Sequence, residues 1–197
     1  MAAGKVGVTL TVAGDAPPDF LEQAPDRFLT LDLHNPDTAV PAVMEFAHTS
    51  PIDVVLGVND QTAVLASTIS VALGLPAKSI DSVRAASNKQ TMRNLLQKEG
   101  LPCPHFVVVG FDEKPEDVVQ QVTFPCVLKP LTLSGSCGVI RADDQESFQK
   151  AFIRIGNLLK TFARPEHDVA GRQILIEDFI PGIEVALEGL LTKNTLH

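Results

Sequence analysis

Residues 53–58, Asp-Val-Val-Leu-Gly-Val, form a continuous apolar run behind a single acid. A strand without polar alternation belongs where both its faces are covered, as in a parallel sheet with helices on either side. The flanks agree. Asp60 precedes residues 61–73, where Val64, Leu65, Ile69 and Val71/Ala72 recur at the spacing that packs a helix on a sheet, and Gly74 and Pro76 stop it. Upstream, residues 6–12 are a β-rich run closed by Gly14-Asp15, and residues 28–33 are a second short extended piece. Residues 39–47 carry Val40, Val43, Met44 and Ala47 on one helical face. This order of strands and helices predicts an α/β, Rossmann-like, doubly wound parallel sheet over residues 1–85. The chain enters its first strand almost at once, so a preceding strand and most of its helix are expected to be missing.

From residue 86 the pattern changes. Ser87 and Gln90 have the spacing of a capping box, with Ser87 as the N-cap of a helix that runs to Gly100 and turns Met92, Leu95 and Leu96 inward. Pro102 and Pro104 keep the next connection extended. Strands are expected at 106–109, 125–129, 139–141, 173–178 and 184–191, with a helix from Pro115 through 122. A longer helix over 144–162 places Phe148, Ala151, Phe152, Ile155, Leu158 and Leu159 at core spacing. Residues 164–172 are a polar connection, and Lys193-Asn194 reads as a turn after which no returning strand is expected.

Composition excludes several functions. Acidic side chains number 24 against 16 basic, a net charge of −8 without any Lys/Arg block, which argues against a partner held through nucleic-acid phosphates. Apolar runs such as 185–187 are interrupted by charge within a few residues, so no membrane span is expected. Three cysteines, Cys103, Cys126 and Cys137, are scattered and odd in number, which points to reduced thiols and a cytoplasmic setting rather than a disulfide framework or a zinc site. His34, His48, His105, His167 and His197 share no spacing, and none is assigned a role.

Three stretches could carry chemistry. Lys129 ends an apolar strand, where an ammonium is costly unless it meets an anion or water. It is followed by a loop with Ser134, Gly135, Ser136 and Gly138, whose small side chains let backbone N–H groups approach phosphate oxygens. No Walker A or Gly-x-Gly-x-x-Gly pattern is present, and an ordinary glycine hairpin beside a solvent-directed lysine would have the same composition. Lys89 sits in the first turn of a helix, against the dipole's preference, as a cation with a neighbouring anion or a solvated surface lysine would. Glu177 and Asp178 close a buried strand, Phe179 and Ile180 offer apolar walls, and Glu184 follows Pro181-Gly182. Such a strand end can accept from an exocyclic amine or from ribose hydroxyls, and it equally suits solvent-exposed acids.

Taken in order, the motifs are Ser-Asn-Lys89 opening a helix, Leu-Pro-Cys-Pro at 101–104, Val-Leu-Lys129-Pro, Ser-Gly-Ser-Cys-Gly-Val at 134–139, and Ile-Glu177-Asp-Phe-Ile-Pro-Gly-Ile-Glu184. This set resembles the ATP-grasp proteins, nearest to carboxylate–amine ligases of the carnosine-synthase and L-amino-acid-ligase type, with biotin carboxylase more distant. The resemblance covers the chain from about residue 53; the residues before it are more loosely similar to the domain that precedes the grasp. It implies an α+β small lobe over 86–172 and the start of the large lobe over 173–197, the rest being expected to be absent. It implies ATP, with Lys89 and Lys129 on the phosphates, Ser134, Gly135, Ser136 and Gly138 in a mobile loop closing over them, Glu177 on the adenine amino group, Asp178, Phe179 and Ile180 lining the base, and Glu184 on the ribose. Cys137 stands where many relatives carry a more polar or basic residue. Mg2+ is implied with its ligands outside this chain, so no catalytic or metal-ligating residue is assigned within it. The implied reaction activates a small-molecule carboxylate as an acyl phosphate for attack by an amine, and a homodimer is among the assemblies open to such a protein. A non-catalytic nucleotide-binding remnant, a biotin-carboxylase-like carboxylase and an α/β binding protein without a nucleotide are the alternatives.

Overall fold

A computed structural model of the chain describes residues 2–17, 28–162, 169–189, 191–192 and 195–196. The chain divides into two compact units, Met1–Glu99 and Gly100–His197. Among the described residues no helix is long and apolar enough to cross a membrane.

In the first unit a short helix α1 (Ala2–Lys5) precedes strand β1 (Val12–Gly14), which pairs in parallel with β2 (Phe28–Thr30), Val12 opposite Phe28 and Gly14 opposite Thr30. Helices α2 (Pro36–Thr49), α3 (Asp60–Ala72), α4 (Ile80–Ser87) and α5 (Lys89–Lys98) follow. Leu31, Ala39, Val43, Leu65 and Ile69 form the core, with Ile52 and Val55 packed against it. The α/β class and the parallel pairing are as expected, but two of the expected strands differ. Residues 6–11 form no strand, and Val6, Val8 and Leu10 are exposed. Residues 53–58 form no strand, and Val54, Leu56 and Val58 are 65%, 80% and 91% exposed. A strand is stabilised by the partners it pairs with and by the layers on its faces, and here only Ile52 and Val55 find apolar neighbours in the core. Gly57 lets this segment lie against α3, since a Cβ there would come within 2.7 Å of the Ala63 backbone.

The helix caps also differ from expectation. α3 starts at Asp60 itself, capped by Asn59, whose side chain accepts from the Thr62 N–H at 2.9 Å while Thr62 Oγ1 accepts from the Asn59 N–H. Asn88, not Ser87, caps α5 by accepting from the Thr91 N–H at 3.1 Å, and Ser87 is the last residue of α4. Four inward assignments fail: Met44 is exposed on α2, Val71 and Ala72 on α3, and Leu95 on α5, a helix with no buried residue.

The second unit is built on an antiparallel sheet in the order β3 (Phe106–Gly110), β6 (Gln173–Asp178), β4 (Cys126–Pro130), β5 (Ile140–Ala142). Helix α6 (Pro115–Val118) and a short 3-10 turn (Val119–Gln121) precede β4, and α7 (Gln145–Phe162) follows β5. The α7 stripe is buried as its period predicts, with Phe148, Ala151, Phe152, Ile155 and Leu159 on Cys126, Leu128, Ala142, Ile174 and Ile176 of the sheet. At about 1.5–3 kcal/mol for each large apolar side chain removed from water, this face holds the unit together. Burial also pushes the Cys126 thiol up to about 11, with smaller contributions from the Asp178 and Asp143 charges, so this cysteine is a packing residue.

Residues 184–189 form no strand and are exposed, against the expectation of a strand over 184–191. A return is present that was not expected: β7 (Leu191–Thr192) pairs antiparallel with β8 (Thr195–Leu196). Within the polar connection at 164–172, residues 164–168 lie outside the described residues, as does the turn at 193–194.

Candidate functional site

Because side chains alternate across a strand, the second unit's sheet presents two different faces. Cys126, Leu128, Ile174 and Ile176 point to α7. The residues between them point the other way. Phe106, Glu177, Val127 and Arg141 stand directly opposite one another across β3, β6, β4 and β5, and Val108, Leu175 and Lys129 form the next row. Lys129 and Glu177 are therefore diagonal neighbours on adjacent strands, the spacing at which long side chains meet. Lys129 Nζ donates to Glu177 Oε1, and the two side chains are only 14% and 9% exposed. Two charges so far from water are tolerated because each satisfies the other.

The strand directions separate the rest of the site into two ends. β4 runs towards Pro130 and the loop at 131–139; β6 runs antiparallel to it and ends at Asp178, opposite Cys126. From Cys126 to Pro130 the strand extends about 13 Å. One end therefore carries the small-residue loop, the other carries residues 178–180, and the Lys129–Glu177 pair lies between.

The loop joining β4 to β5 is longer than a usual hairpin connection. Gly135, Ser136 and Gly138 have φ of 63°, 58° and 77°, and Ser136 is the one non-glycine with positive φ among the described residues. The Cys137 N–H donates to Ser134 O and the Val139 N–H to Ser136 O, both at 3.2 Å. The two glycines differ. A Cβ on Gly138 would come within 2.8 Å of Leu158 and 2.9 Å of Pro130, so it seats the loop against α7 and β4, whereas Gly135 faces open space with the exposed Ser134 and Ser136.

At the far end the Asp178 N–H donates to His105 O at 3.0 Å and the Phe179 N–H to Pro125 O at 3.1 Å. The Arg141 guanidinium lies over the Phe179 ring, 4.1 Å from its centroid. Ile180 is exposed, and Glu184 lies in the exposed segment beyond it.

The structure thus brings Lys129, Glu177 and, through its contact with Arg141, Phe179 to one sheet face, with Ser134, Gly135, Ser136 and Gly138 at its loop end; Asp178, expected beside them, stands opposite Cys126 and turns to the α7 side, because neighbours along a strand alternate. Lys89 opens α5 in the other unit. Arg141 escaped the sequence reading, because its place opposite Val127 depends on the register of a three-residue strand. Its one signal was a charge flanked by Ile140 and Ala142. Among the described residues no group of three or more His, Cys, Asp or Glu side chains is gathered as metal ligands would be. A cleft of about 410 Å3 in the first unit, lined by Val54, Leu56, Gly57, Ser67, Lys78 and Ser82 among others, takes in none of the candidate residues.

Comparison with known proteins matches both units. The ATP-grasp N-terminal domain family matches residues 1–77 and the ATP-grasp domain family residues 122–196. The D-alanine–D-alanine ligase of Ruminiclostridium cellulolyticum is 32% identical over 158 residues, 74% of this chain and 39% of that protein. The alanine–anticapsin ligase of Bacillus subtilis is 26% identical over 110 residues, 56% of this chain and 23% of that protein. Among solved structures, the L-amino acid ligase from Bacillus licheniformis aligns at a TM-score of 0.73 and 24% identity over 99% of this chain and 44% of its own. An ADP complex of N5-carboxyaminoimidazole ribonucleotide synthetase aligns at 0.63 and 16% identity, over 100% and 52%. These structural likenesses speak to the fold. The chain spans well under half the length of these curated relatives.

Proposed function

Since the chain belongs to the ATP-grasp family, whose two domain families match residues 1–77 and 122–196, we propose that it is the ATP-binding part of a ligase that activates a carboxylate as an acyl phosphate for attack by an amine. The observation that carries this reading is the sheet face itself. A lysine–glutamate pair is held between a small-residue loop and a strand end, over a length that suits an extended nucleoside triphosphate. In this reading Lys129 holds the phosphates, and the backbone N–H groups of Ser134, Gly135, Ser136 and Gly138 close over them. Glu177 accepts from the adenine amino group. With the N–H groups of Asp178 and Phe179 engaged by His105 and Pro125, the base edge would meet the Asp178 carbonyl and the Ile180 N–H, between the Phe179 and Ile180 side chains. Glu184 would swing to the ribose hydroxyls.

The reaction transfers the γ-phosphoryl group to a carboxylate oxygen, and the amine then displaces phosphate to leave an amide. Two of the relatives are named for joining amino-acid-like partners, D-alanine to D-alanine and alanine to anticapsin, which favours small-molecule carboxylate and amine substrates here. Mg2+ would neutralise charge on the transferring phosphates. It takes one or two carboxylates besides phosphate oxygens, and Glu177 is engaged by Lys129, so its ligands are proposed to lie outside this chain.

A thermal-shift titration with ATP or a non-hydrolysable analogue, on wild type and Lys129→Ala, tests the reading. At one hundred times Kd the wild type gains about 2.7 kcal/mol, and the variant loses most of that gain. A wild type whose melting point ignores nucleotide overturns the proposal.

A further inference from the structure

Arg141 plays no part in the reading above, yet it is the most constrained exposed cation on that sheet face. Its Nε donates to Asp143 Oδ1 at 2.8 Å and a terminal nitrogen lies 2.6 Å from the same oxygen. Asp143 is itself tied down: its N–H donates to Ser147 Oγ, in the first turn of α7. Held along one edge by Asp143, the guanidinium lies over the Phe179 ring, the arrangement in which a cation and an aromatic quadrupole attract. Phe179 is also fixed from below, where its N–H meets Pro125 O and the preceding N–H meets His105 O. The strand end at 178–180 is thus gripped through backbone and ring, from β3, β4 and β5 together.

Resting on the nucleotide-site reading, we propose that Arg141 is a positioning residue that sets base preference. By clamping Phe179 it fixes the peptide groups of 178–180 as an acceptor beside a donor. Adenine offers the complement, an amino donor beside a ring-nitrogen acceptor; guanine offers a carbonyl beside an N–H, so each of its groups would meet its like. A rigid pair rejects guanine because a buried polar group left unmatched is costly. A loosened segment can turn its peptides and admit both bases. The phosphates sit towards the other end of β4 and should not register the change.

The test is calorimetric titration of the chain with ATP, GTP and inorganic tripolyphosphate, on wild type, R141M and R141K, with Phe179→Leu and the R141M/Phe179→Leu double variant to read the coupling. Arg141 is 49% exposed, so its replacement leaves the core intact, and a circular-dichroism melt checks this. R141M is expected to weaken ATP on the order of 5-fold and to narrow the ATP-to-GTP ratio by a similar factor, tripolyphosphate being unchanged. R141K should fall between, having charge without the planar fork. In the Phe179→Leu background R141M should have no further effect. A wild type that binds ATP while R141M keeps its ATP-to-GTP ratio overturns this inference alone, as does equal weakening of ATP and tripolyphosphate or full additivity with Phe179→Leu. A wild type that binds no ATP overturns the nucleotide-site reading and this inference with it.

Discussion

The two faces of the second unit's sheet are made by the same four strands, often by adjacent residues, yet they differ in kind. Towards α7, Leu128, Ile174 and Ile176 meet Phe148, Phe152 and Ile155 with nothing polar between them. On the other side Lys129, Glu177 and Arg141 stand among Phe106, Val108 and Leu175. Packing alone would favour apolar residues on both faces, and replacing a buried ion pair by apolar side chains is often neutral or stabilising. One face supplies stability, and the other, which carries the lysine and the glutamate, is the one proposed to bind nucleotide.

Mutations can break that division. The largest effect belongs to the packed face: Phe152→Ala should cost about 3–5 kcal/mol in chemical denaturation, with ATP affinity unchanged for the molecules that remain folded. Glu177→Gln should do both kinds of damage. It leaves Lys129 without a counter-charge, at about 1–3 kcal/mol of stability, and weakens ATP but not tripolyphosphate; a loss of stability with nucleotide binding intact would place Glu177 with the scaffold.

The two loop glycines give a finer division. Gly138→Ala brings a Cβ against Leu158 and Pro130 as well as demanding a positive φ, so it should lower the melting point clearly. Gly135→Ala meets open space and should cost only the backbone term of about 1–2 kcal/mol. If the two variants melt alike, Gly138 does not seat the loop.

The smallest effect concerns pH. The Ser147 N–H and hydroxyl, both directed at Asp144, hold its carboxyl below the usual carboxylate range. A depressed carboxyl contributes stability that is complete above its unfolded pKa and is lost as pH falls through its folded one. Asp144→Asn should therefore flatten the acid side of the stability–pH curve below about pH 4, leaving nucleotide binding at neutral pH untouched.

How much of this was legible in the sequence follows the range of the forces involved. The α7 stripe and the bounds of β6 were readable because helical period and a β-branched run ended by acids are local. So was the placement of Lys129 in a strand followed by a Ser/Gly loop, since these residues are adjacent in the chain. The choice of Asn88 over Ser87 as cap was not, since two good capping residues stand side by side. Residues 6–12 and 53–58 look like strands from their side chains, but a strand exists only with its partners, and the described residues supply no ladder for 53–58. Arg141 needed the register: a shift of one residue in β5 would turn it to the α7 face.

Hydrogen–deuterium exchange of the chain with and without saturating ATP bears most directly on the claim that the charged face is the nucleotide face. The account predicts slowed exchange over the loop at 131–139 and over 177–180, with α7 amides unchanged. Protection confined to α7, or none at 131–139 and 177–180 while ATP is bound, would contradict it.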